Sequence, residues 1–153
     1  MDERYMKRAI ELGAQAAAIG EVPVGAVVVE NATGEIISEA YNLRETEKKA
    51  TAHAEILAIE RACEARGGWR LNGCTLYVTL EPCPMCAGAL VNSRIDRVVY
   101  GAEDPLAGCC GSVINFNFYP FNHSFEITRG VCADECRELL TTFFDQKRNC
   151  RDK

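Results

Sequence analysis

The order of apolar and polar positions along the chain predicts alternating helices and strands. Residues 2–19 are rich in Ala, Glu, Lys and Leu, with Asp2 placed as an N-cap and Gly20 as the stop, which indicates a helix. Residues 24–29 are apolar and β-branched, and a similar run over 36–40 follows a short turn-forming segment. These two runs predict a β-hairpin.

The remaining elements follow from the same patterns and from the glycines and prolines that interrupt them. In chain order they are a polar loop over 41–50, a helix from 51 or 52 to 65, a strand over 74–80, a helix over 83–91, a strand over 95–100, a long segment with one short helical piece over 101–123, a short strand over 125–128 and a helix over 132–149. Strands separated by helices favour parallel pairing, whereas the hairpin adds an antiparallel edge. The expected fold class is therefore α/β, a three-layer α/β/α sandwich with a mixed central sheet of about five strands.

Length and composition are those of an ordinary globular protein. The chain has 153 residues, of which 48% are hydrophobic and 25% charged, so residues 1–153 are expected to form a single domain without disorder or fibrous repeats. No apolar run approaches the roughly 18 residues that a membrane span requires. Residues 1–8 are charged and lack the apolar core of a secretory signal, so we expect a cytoplasmic protein with no membrane partner.

The net charge of −5 argues against binding of nucleic acid through bulk charge. The charge is uneven, however, because residues 147–153 carry four positive charges and one negative charge. This basic end could hold a phosphate backbone, or it could be a solvated helix end with its cations near the negative pole of the helix dipole.

Cysteine is unusually frequent, with nine residues in the chain. Because the number is odd and no export signal precedes them, a disulfide framework is not expected. In a reducing compartment, clustered cysteines instead suggest a metal site or catalysis, and scattered ones suggest small buried side chains.

Two short segments combine side chains that bind metals and transfer protons. One is His53-Ala54-Glu55 and the other is Pro82-Cys83-Pro84-Met85-Cys86, and each lies at the start of a predicted helix. Side chains in a first helical turn can surround the end of the helix axis and reach one point beyond it. The helix N-terminus also lowers the pKa of a thiol placed there.

One histidine and two cysteines supply three ligands for a zinc ion. Three protein ligands with an open fourth position are typical of catalytic zinc, which lowers the pKa of a water held there to about 7. Glu55 is spaced to act on that water as general base and then as general acid. The sequence thus predicts one zinc ion per chain, bound by His53, Cys83 and Cys86, with Glu55 as the catalytic residue.

Each segment taken alone is also compatible with a different role. A lone Cys-x-x-Cys is found in redox dithiols, and a lone histidine at an Ala-rich helix start is more often structural. A catalytically silent zinc module is a third alternative, but a structural site needs no proton shuttle such as Glu55. The order His-x-Glu followed by Pro-Cys-x-x-Cys is the signature of zinc nucleobase deaminases and favours that class.

Further segments make the chain resemble the bacterial tRNA-specific adenosine deaminases, a family within the cytidine deaminase-like superfamily. The zinc motif is shared by the whole superfamily, whereas the later segments point to the tRNA enzymes. The resemblance extends from residue 22 to residue 144, and besides the two zinc segments it rests on residues 69–71, 79–89, 97–102, 104–105, 108–112, 122–123 and 134–136.

The resemblance implies roles for several individual residues. Glu55 would transfer protons while water attacks C6 of the wobble adenosine in a tRNA anticodon loop, leaving inosine and ammonia. Asn42 and the backbone of Ala54 match positions that hold the nucleoside. Members of the family are homodimers, so the expected partners are a tRNA anticodon stem-loop and a second copy of the chain. The positions that match residues near the RNA loop are Asp104, Asn122, His123 and Phe144.

Some positions depart from the family pattern. Ser124 stands where Arg is common, and Cys109 and Cys110 stand where small residues are usual. Together with the acidic net charge, Ser124 motivates a second hypothesis, a zinc deaminase of a free nucleobase or nucleoside such as guanine or cytosine. The aromatic segment 115–121 could stack on splayed bases, or it could cover the sheet or a dimer interface.

Overall fold

The computed structural model describes residues 1–151, which form a five-stranded sheet with helices on both of its faces. None of the described helices combines the length and the apolar composition needed to cross a membrane. The predicted three-layer α/β/α fold is confirmed. In chain order the elements are α1 (Asp2–Ala18), β1 (Gly25–Glu30), β2 (Ile36–Tyr41), α2 (Arg44–Glu47), α3 (Ala54–Arg66), β3 (Cys74–Leu80), α4 (Pro84–Asn92), β4 (Arg97–Ala102), a 3₁₀ turn at Phe116–Phe118, β5 (Glu126–Arg129) and α5 (Ala133–Arg151).

The strand order is β2-β1-β3-β4-β5, and the sheet is mixed. Strand β4 is parallel to both β3 and β5, whereas β1 is antiparallel to both β2 and β3. The expectation that a helix between two strands implies a parallel pair holds for β3 and β4. Strands β2 and β3 also run in the same direction, but β1 lies between them, so they do not form a pair. The hairpin places β2 at the sheet edge. The chain then passes through α3 to the free side of β1, where β3 pairs with β1.

Both faces of the central strands are apolar, because helices cover both. The paired residues Val27, Tyr77 and Val99 pack with α1 and α5 in one buried cluster. The next row on the same strands packs with α3 and α4 in the second cluster, and it consists of Val28, Leu76 and Val98. The side-chain alternation of a strand thus serves two cores at once.

A short helix occupies part of the segment predicted as a polar loop. Within 41–50, residues Arg44–Glu47 form α2, and the buried carboxylate of Glu21 accepts hydrogen bonds from the backbone N–H of Glu45 (3.1 Å) and of Thr46 (2.8 Å). Burial alone would raise the pKa of Glu21, but these hydrogen bonds outweigh it and the pKa is lowered. The loop prediction was wrong here because the group that caps this helix lies more than 20 positions earlier in the chain.

The boundaries of several elements differ from the prediction by one to three residues, and two of these differences involve the ends of α1 and β4. Asp2 is the first residue of α1, and Met1 is its N-cap. The carboxylate of Asp2 accepts hydrogen bonds from both terminal nitrogens of Arg97 (2.7 and 3.0 Å) and from the hydroxyl of Tyr77 (2.8 Å). The strand expected over 95–100 lies two residues later, at Arg97–Ala102. The hydrogen bond from Arg97 is the main reason that the pKa of Asp2 is lowered.

The ion pair between Asp2 and Arg97 predicts a pH-dependent contribution to stability. A carboxylate whose pKa is lowered on folding stabilises the fold above its unfolded pKa of about 3.9, and the contribution disappears as the pH falls through the folded value. Asp2→Asn should therefore lower the free energy of unfolding at pH 7 by about 1 kcal/mol, as expected for a partly exposed pair. Urea unfolding at pH 7 and near pH 3 should show this difference shrinking at the lower pH.

The control for this experiment is Asp134→Asn, which removes an exposed carboxylate that also pairs with an arginine, Arg137, on the surface of α5. It should change the unfolding free energy little at either pH. A difference for Asp2→Asn that is the same at both pH values would rule out the ion pair as its cause.

Candidate active site

The two metal-binding segments lie at the starts of neighbouring helices. His53 is the N-cap of α3 and Cys83 is the N-cap of α4, both with extended backbone, and Pro84 takes the first helical position of α4. The helices begin at residues 54 and 84, so each starts after its first ligand rather than before it. An N-cap residue lies half outside its helix, which leaves its side chain free to point past the helix end.

The three predicted ligands converge in space. Nδ1 of His53 lies 3.7 Å from Sγ of Cys83 and 3.6 Å from Sγ of Cys86, and all three ligand atoms lie within 4.8 Å of one another. A tetrahedral zinc ion with Zn–S of about 2.3 Å and Zn–N of about 2.0 Å requires N···S separations of about 3.6 Å. The donor set and its spacing therefore fit a zinc ion.

The electrostatic environment favours the metal-binding form of Cys83. Hydrogen bonds from the Cys86 thiol and from His53 outweigh the effect of burial and lower the pKa of Cys83 to about 4. The same hydrogen bond to Cys83 raises the pKa of His53. Because cysteine binds metals as the thiolate, this arrangement prepares Cys83 as a ligand.

Glu55 lies in the first turn of α3, next to the three ligands but outside their cluster. Its side chain is buried, and burial raises its pKa to about 7, although the proximity of His53 acts in the opposite direction. The carboxyl group lines the same cavity as His53 and Cys83. It is therefore placed to act on a molecule inside the cavity rather than on the surface.

This cavity has a volume of about 190 Å³. Three of the six residues predicted to bind substrate line it, namely Asn42, Ala54 and Asp104. The Asn42 amide is held on both sides, because its nitrogen donates to the carbonyl of Val22 (3.3 Å) and its oxygen accepts from the backbone N–H of Arg44 (3.2 Å). The remaining lining residues are Val22, Val24, Arg44, His53, Glu55, Leu80, Glu81, Cys83 and Ala107.

Asn122 and His123 are not brought to the cavity within one chain. The ring of His123 lies with Nε2 2.6 Å from the carbonyl oxygen of Ile95, just before β4 begins. The cavity lies at the other end of this strand, where the backbone N–H of Glu81 donates to the carbonyl of Ala102. These two predicted residues are therefore separated from the zinc ligands by the length of β4.

A second depression, which we call the basic cleft, adjoins the cavity and contains Phe144. It shares Val22, Asn42 and Arg44 with the cavity, so the two are continuous. Phe144, which the resemblance matches to a position near the RNA loop, is 44% exposed, whereas its neighbour Phe143 is buried. The remaining lining residues are Gly20, Glu21, Glu45, Phe143, Lys147, Arg148 and Arg151.

Three cations of the basic end thus lie beside the cavity while they remain exposed to solvent. Lys147, Arg148 and Arg151 line the cleft, whereas Asp152 and Lys153 fall outside the described residues. The sequence shows that these cations are clustered, but their position next to the cavity depends on how α5 packs.

The aromatic segment 115–121 is largely on the surface. Phe116 packs against the core, whereas Phe118 is 84% exposed and Phe121 is 51% exposed. Packing against the sheet therefore explains the position of Phe116 but not the positions of Phe118 and Phe121.

Comparison with known proteins agrees with this geometry. Residues 1–102 match the family model described as the cytidine and deoxycytidylate deaminase zinc-binding region. The chain belongs to this family. A curated relative, the tRNA-specific adenosine deaminase of Bacillus subtilis (strain 168), is 55% identical over 148 residues, which cover 96% of this chain and 91% of the relative.

Two solved structures extend the comparison. A structure from a study of A-to-I editing by tRNA:A34 deaminases at the wobble position of transfer RNA has a TM-score of 0.86 and 41% identity, over 90% of this chain and 99% of that one. The guanine deaminase of Bacillus subtilis has a TM-score of 0.62 and 43% identity, over 66% of this chain and 64% of that one. The first similarity spans nearly the whole fold, and the second spans about two thirds of it.

The ligand assignment predicts how zinc content responds to single substitutions. Cys86→Ser should lower the zinc content of the purified protein to a small fraction of that of the wild type, because the site loses a buried thiolate ligand. Cys63→Ser is the matched control, since this thiol lies outside the ligand cluster and donates to the carbonyl of Trp69 (3.5 Å). Metal analysis of both variants by mass spectrometry would contradict the assignment if they kept equal zinc.

Proposed function

We propose that the chain is a zinc-dependent hydrolase that deaminates adenosine to inosine at the wobble position of a tRNA anticodon loop. The observation that carries the proposal is the convergence of His53, Cys83 and Cys86 with Glu55 in one small cavity. A base inside a folded loop must leave its stack to enter such a cavity. We infer one zinc ion per chain, because residues 1–151 provide one set of three such ligands.

Glu55 is the proposed catalytic residue. When bound, zinc would supply an activated water for attack on C6 of adenine. Glu55 accepts one proton from the attacking water and donates it to the ring nitrogen beside C6 as the C6–O bond forms. Glu55 then transfers the second proton of that water to the amino group on C6, so that the C6–N bond breaks and ammonia leaves. Water and adenosine are consumed and inosine and ammonia are released. The buried position of Glu55 keeps these transfers away from bulk solvent.

Two groups are proposed to hold the base. The amide of Asn42 is fixed by its hydrogen bonds to Val22 and Arg44 and lines the cavity. The backbone N–H of Ala54 is at the first position of α3, where N–H groups have no partner within the helix. The Ala54 N–H can therefore bind a nucleobase without giving up a contact within α3.

The basic cleft is proposed to hold nucleotides next to the flipped base. Exposed Phe144 offers a ring on which a base can stack, and Lys147 and Arg151 offer positive charge for phosphates. Asp104 lines the cavity wall and is proposed to contact the same RNA loop. This local concentration of cations explains how a chain of net charge −5 can bind RNA.

A homodimer is proposed because one chain does not bring all the predicted RNA contacts together. Asn122 and His123 lie near the start of β4, at the far end from the cavity. They can contact RNA bound at a cavity only if that cavity belongs to a second copy of the chain. The proposed location is the cytoplasm, where the tRNA substrate is found.

A zinc deaminase of a free nucleobase is the second candidate function. It is favoured by the 43% identity to the guanine deaminase of Bacillus subtilis. The two candidates share the zinc ligands and Glu55 but differ in substrate. Incubation with a matching anticodon stem-loop beside a panel of free bases separates them, because the first predicts inosine in the RNA and the second predicts ammonia from the panel only.

Glu55→Ala should abolish turnover while keeping zinc and RNA binding. Loss of a general acid–base group lowers rates by about 10²–10⁴-fold, and this side chain is not a metal ligand. Inosine formation, zinc content and stem-loop affinity should be measured on the same preparation. Wild-type inosine formation by Glu55→Ala would remove this residue from the mechanism.

Neutralising the basic cleft should weaken RNA binding in a salt-dependent manner. For Lys147→Ala and Arg151→Ala, the slope of log affinity against log salt should become shallower by about 0.7 per charge removed, as expected for single-stranded RNA. Arg4→Ala is the control, because this arginine lies on α1 and does not line the cleft. Equal salt slopes for all three variants would exclude the cleft as the RNA-binding surface.

A further inference from the structure

One buried carboxylate beside the metal ligands has no part in the proton transfers proposed for Glu55. Glu81 lies between the end of β3 and Cys83, and it is 1% exposed. Its carboxylate accepts hydrogen bonds from the backbone N–H of Asp104 (3.1 Å), of Cys110 (3.0 Å) and of Ser112 (3.1 Å). The hydroxyl of Ser112 donates to it as well. A buried anion of this kind is stable only because these donors surround it.

The segment 103–112, which we call the wall loop, is wrapped closely around this carboxylate. A Cβ atom at Gly108 would lie 2.3–2.5 Å from the carboxylate atoms of Glu81, so only glycine fits there. The backbone N–H of Cys109 donates to the carbonyl of Pro82 (2.9 Å). The wall loop is thus attached to two successive residues that precede the ligand Cys83.

The wall loop forms one side of the active-site cavity through Asp104 and Ala107. The Asp104 side chain accepts hydrogen bonds from the backbone N–H of Leu106 (3.0 Å) and of Ala107 (3.2 Å), which shapes this turn. The turn itself is attached to the protein by the hydrogen bond from the Asp104 N–H to Glu81. Glu81 therefore determines where this side of the cavity lies relative to the zinc ligands.

We propose that Glu81 is a positioning residue for substrate binding, which acts by holding the wall loop against the cavity. The proposal rests on the proposed function, since it concerns the same cavity. Only a carboxylate can accept all of these hydrogen bonds, because both of its oxygens are acceptors and neither carries a proton. In Glu81→Gln the amide NH₂ would face backbone N–H donors, so part of the loop would lose its attachment.

The first test measures the loop directly and does not depend on activity. In Glu81→Gln, hydrogen exchange should become faster at the amides of Asp104, Cys110 and Ser112, whereas exchange in β3 should stay as in the wild type. Tyr77→Phe is the control for a general loss of stability, because its hydroxyl contacts Asp2 at the other end of the sheet. It should not accelerate exchange in the wall loop selectively.

The second test measures the consequence for catalysis. In Glu81→Gln, the KM for the anticodon stem-loop should rise about tenfold or more while kcat stays within about threefold, the pattern for lost binding that is equal in the ground state and the transition state. Zinc content should not change, because His53, Cys83 and Cys86 are all retained. Ser112→Ala removes one donor and should raise KM in the same direction by a smaller factor. The effects of the two substitutions should not add in the double variant, because they break the same contact.

The outcomes separate this proposal from the proposed function. Absence of inosine formation by the wild type would overturn the proposed function, while hydrogen exchange would still test Glu81. Loss of zinc, or a fall in kcat without a rise in KM, would overturn the positioning role. If Glu81→Gln fails to fold, the decision rests on Ser112→Ala, and unchanged loop exchange and unchanged KM in that variant would overturn the proposal.

Discussion

The chemistry of this protein depends on two helices, α3 and α4, whose N-terminal ends lie next to each other. His53 caps α3 and Cys83 caps α4, and the two helix starts meet so that an imidazole and two thiols lie within 4.8 Å of one another. In the middle of a helix, His53 and Glu55 would point in nearly opposite directions, because residues two apart are about 200° apart around the axis. At the helix start both can reach the same cavity. The free N–H groups and the dipole of each helix then favour thiolates.

The sheet provides the rigid support for this meeting point. Strand β3 is buried on both faces and ends directly before the Cys83 turn, and its neighbour β4 ends beside it and leads into the wall loop. The ends of parallel neighbours lie at the same edge of a sheet, which is where α/β proteins commonly place their sites. The predicted zinc ligands, the carboxyl group of Glu55 and the wall loop are held by one edge as a result.

Buried carboxylates attach the surrounding loops to this support. Glu21 holds the start of α2, and Glu81 holds the wall loop, in each case through backbone N–H groups. Backbone N–H groups supply most of the hydrogen bonds to these carboxylates, and they are assisted by the charge of Arg44 at Glu21 and by the hydroxyl of Ser112 at Glu81. Helix α2 and the wall loop form different parts of the region around the cavity and the basic cleft. The shape of the cavity therefore depends on polar contacts as well as on the apolar cores.

The sequence by itself determined the features that depend on local pattern. Strand β3 has the predicted bounds, and the spacing of His53, Cys83 and Cys86 was sufficient to predict that the structure brings these three side chains together. Only the tertiary structure decided the antiparallel pairing of β1 with β3, the helix at Arg44–Glu47 and the place of Phe144 in the basic cleft. It also separated Asn122 and His123 from the cavity within one chain. Periodicity and helix caps act over a few residues, whereas strand order, a cap from Glu21 and the packing of α5 depend on groups that are far apart in the chain.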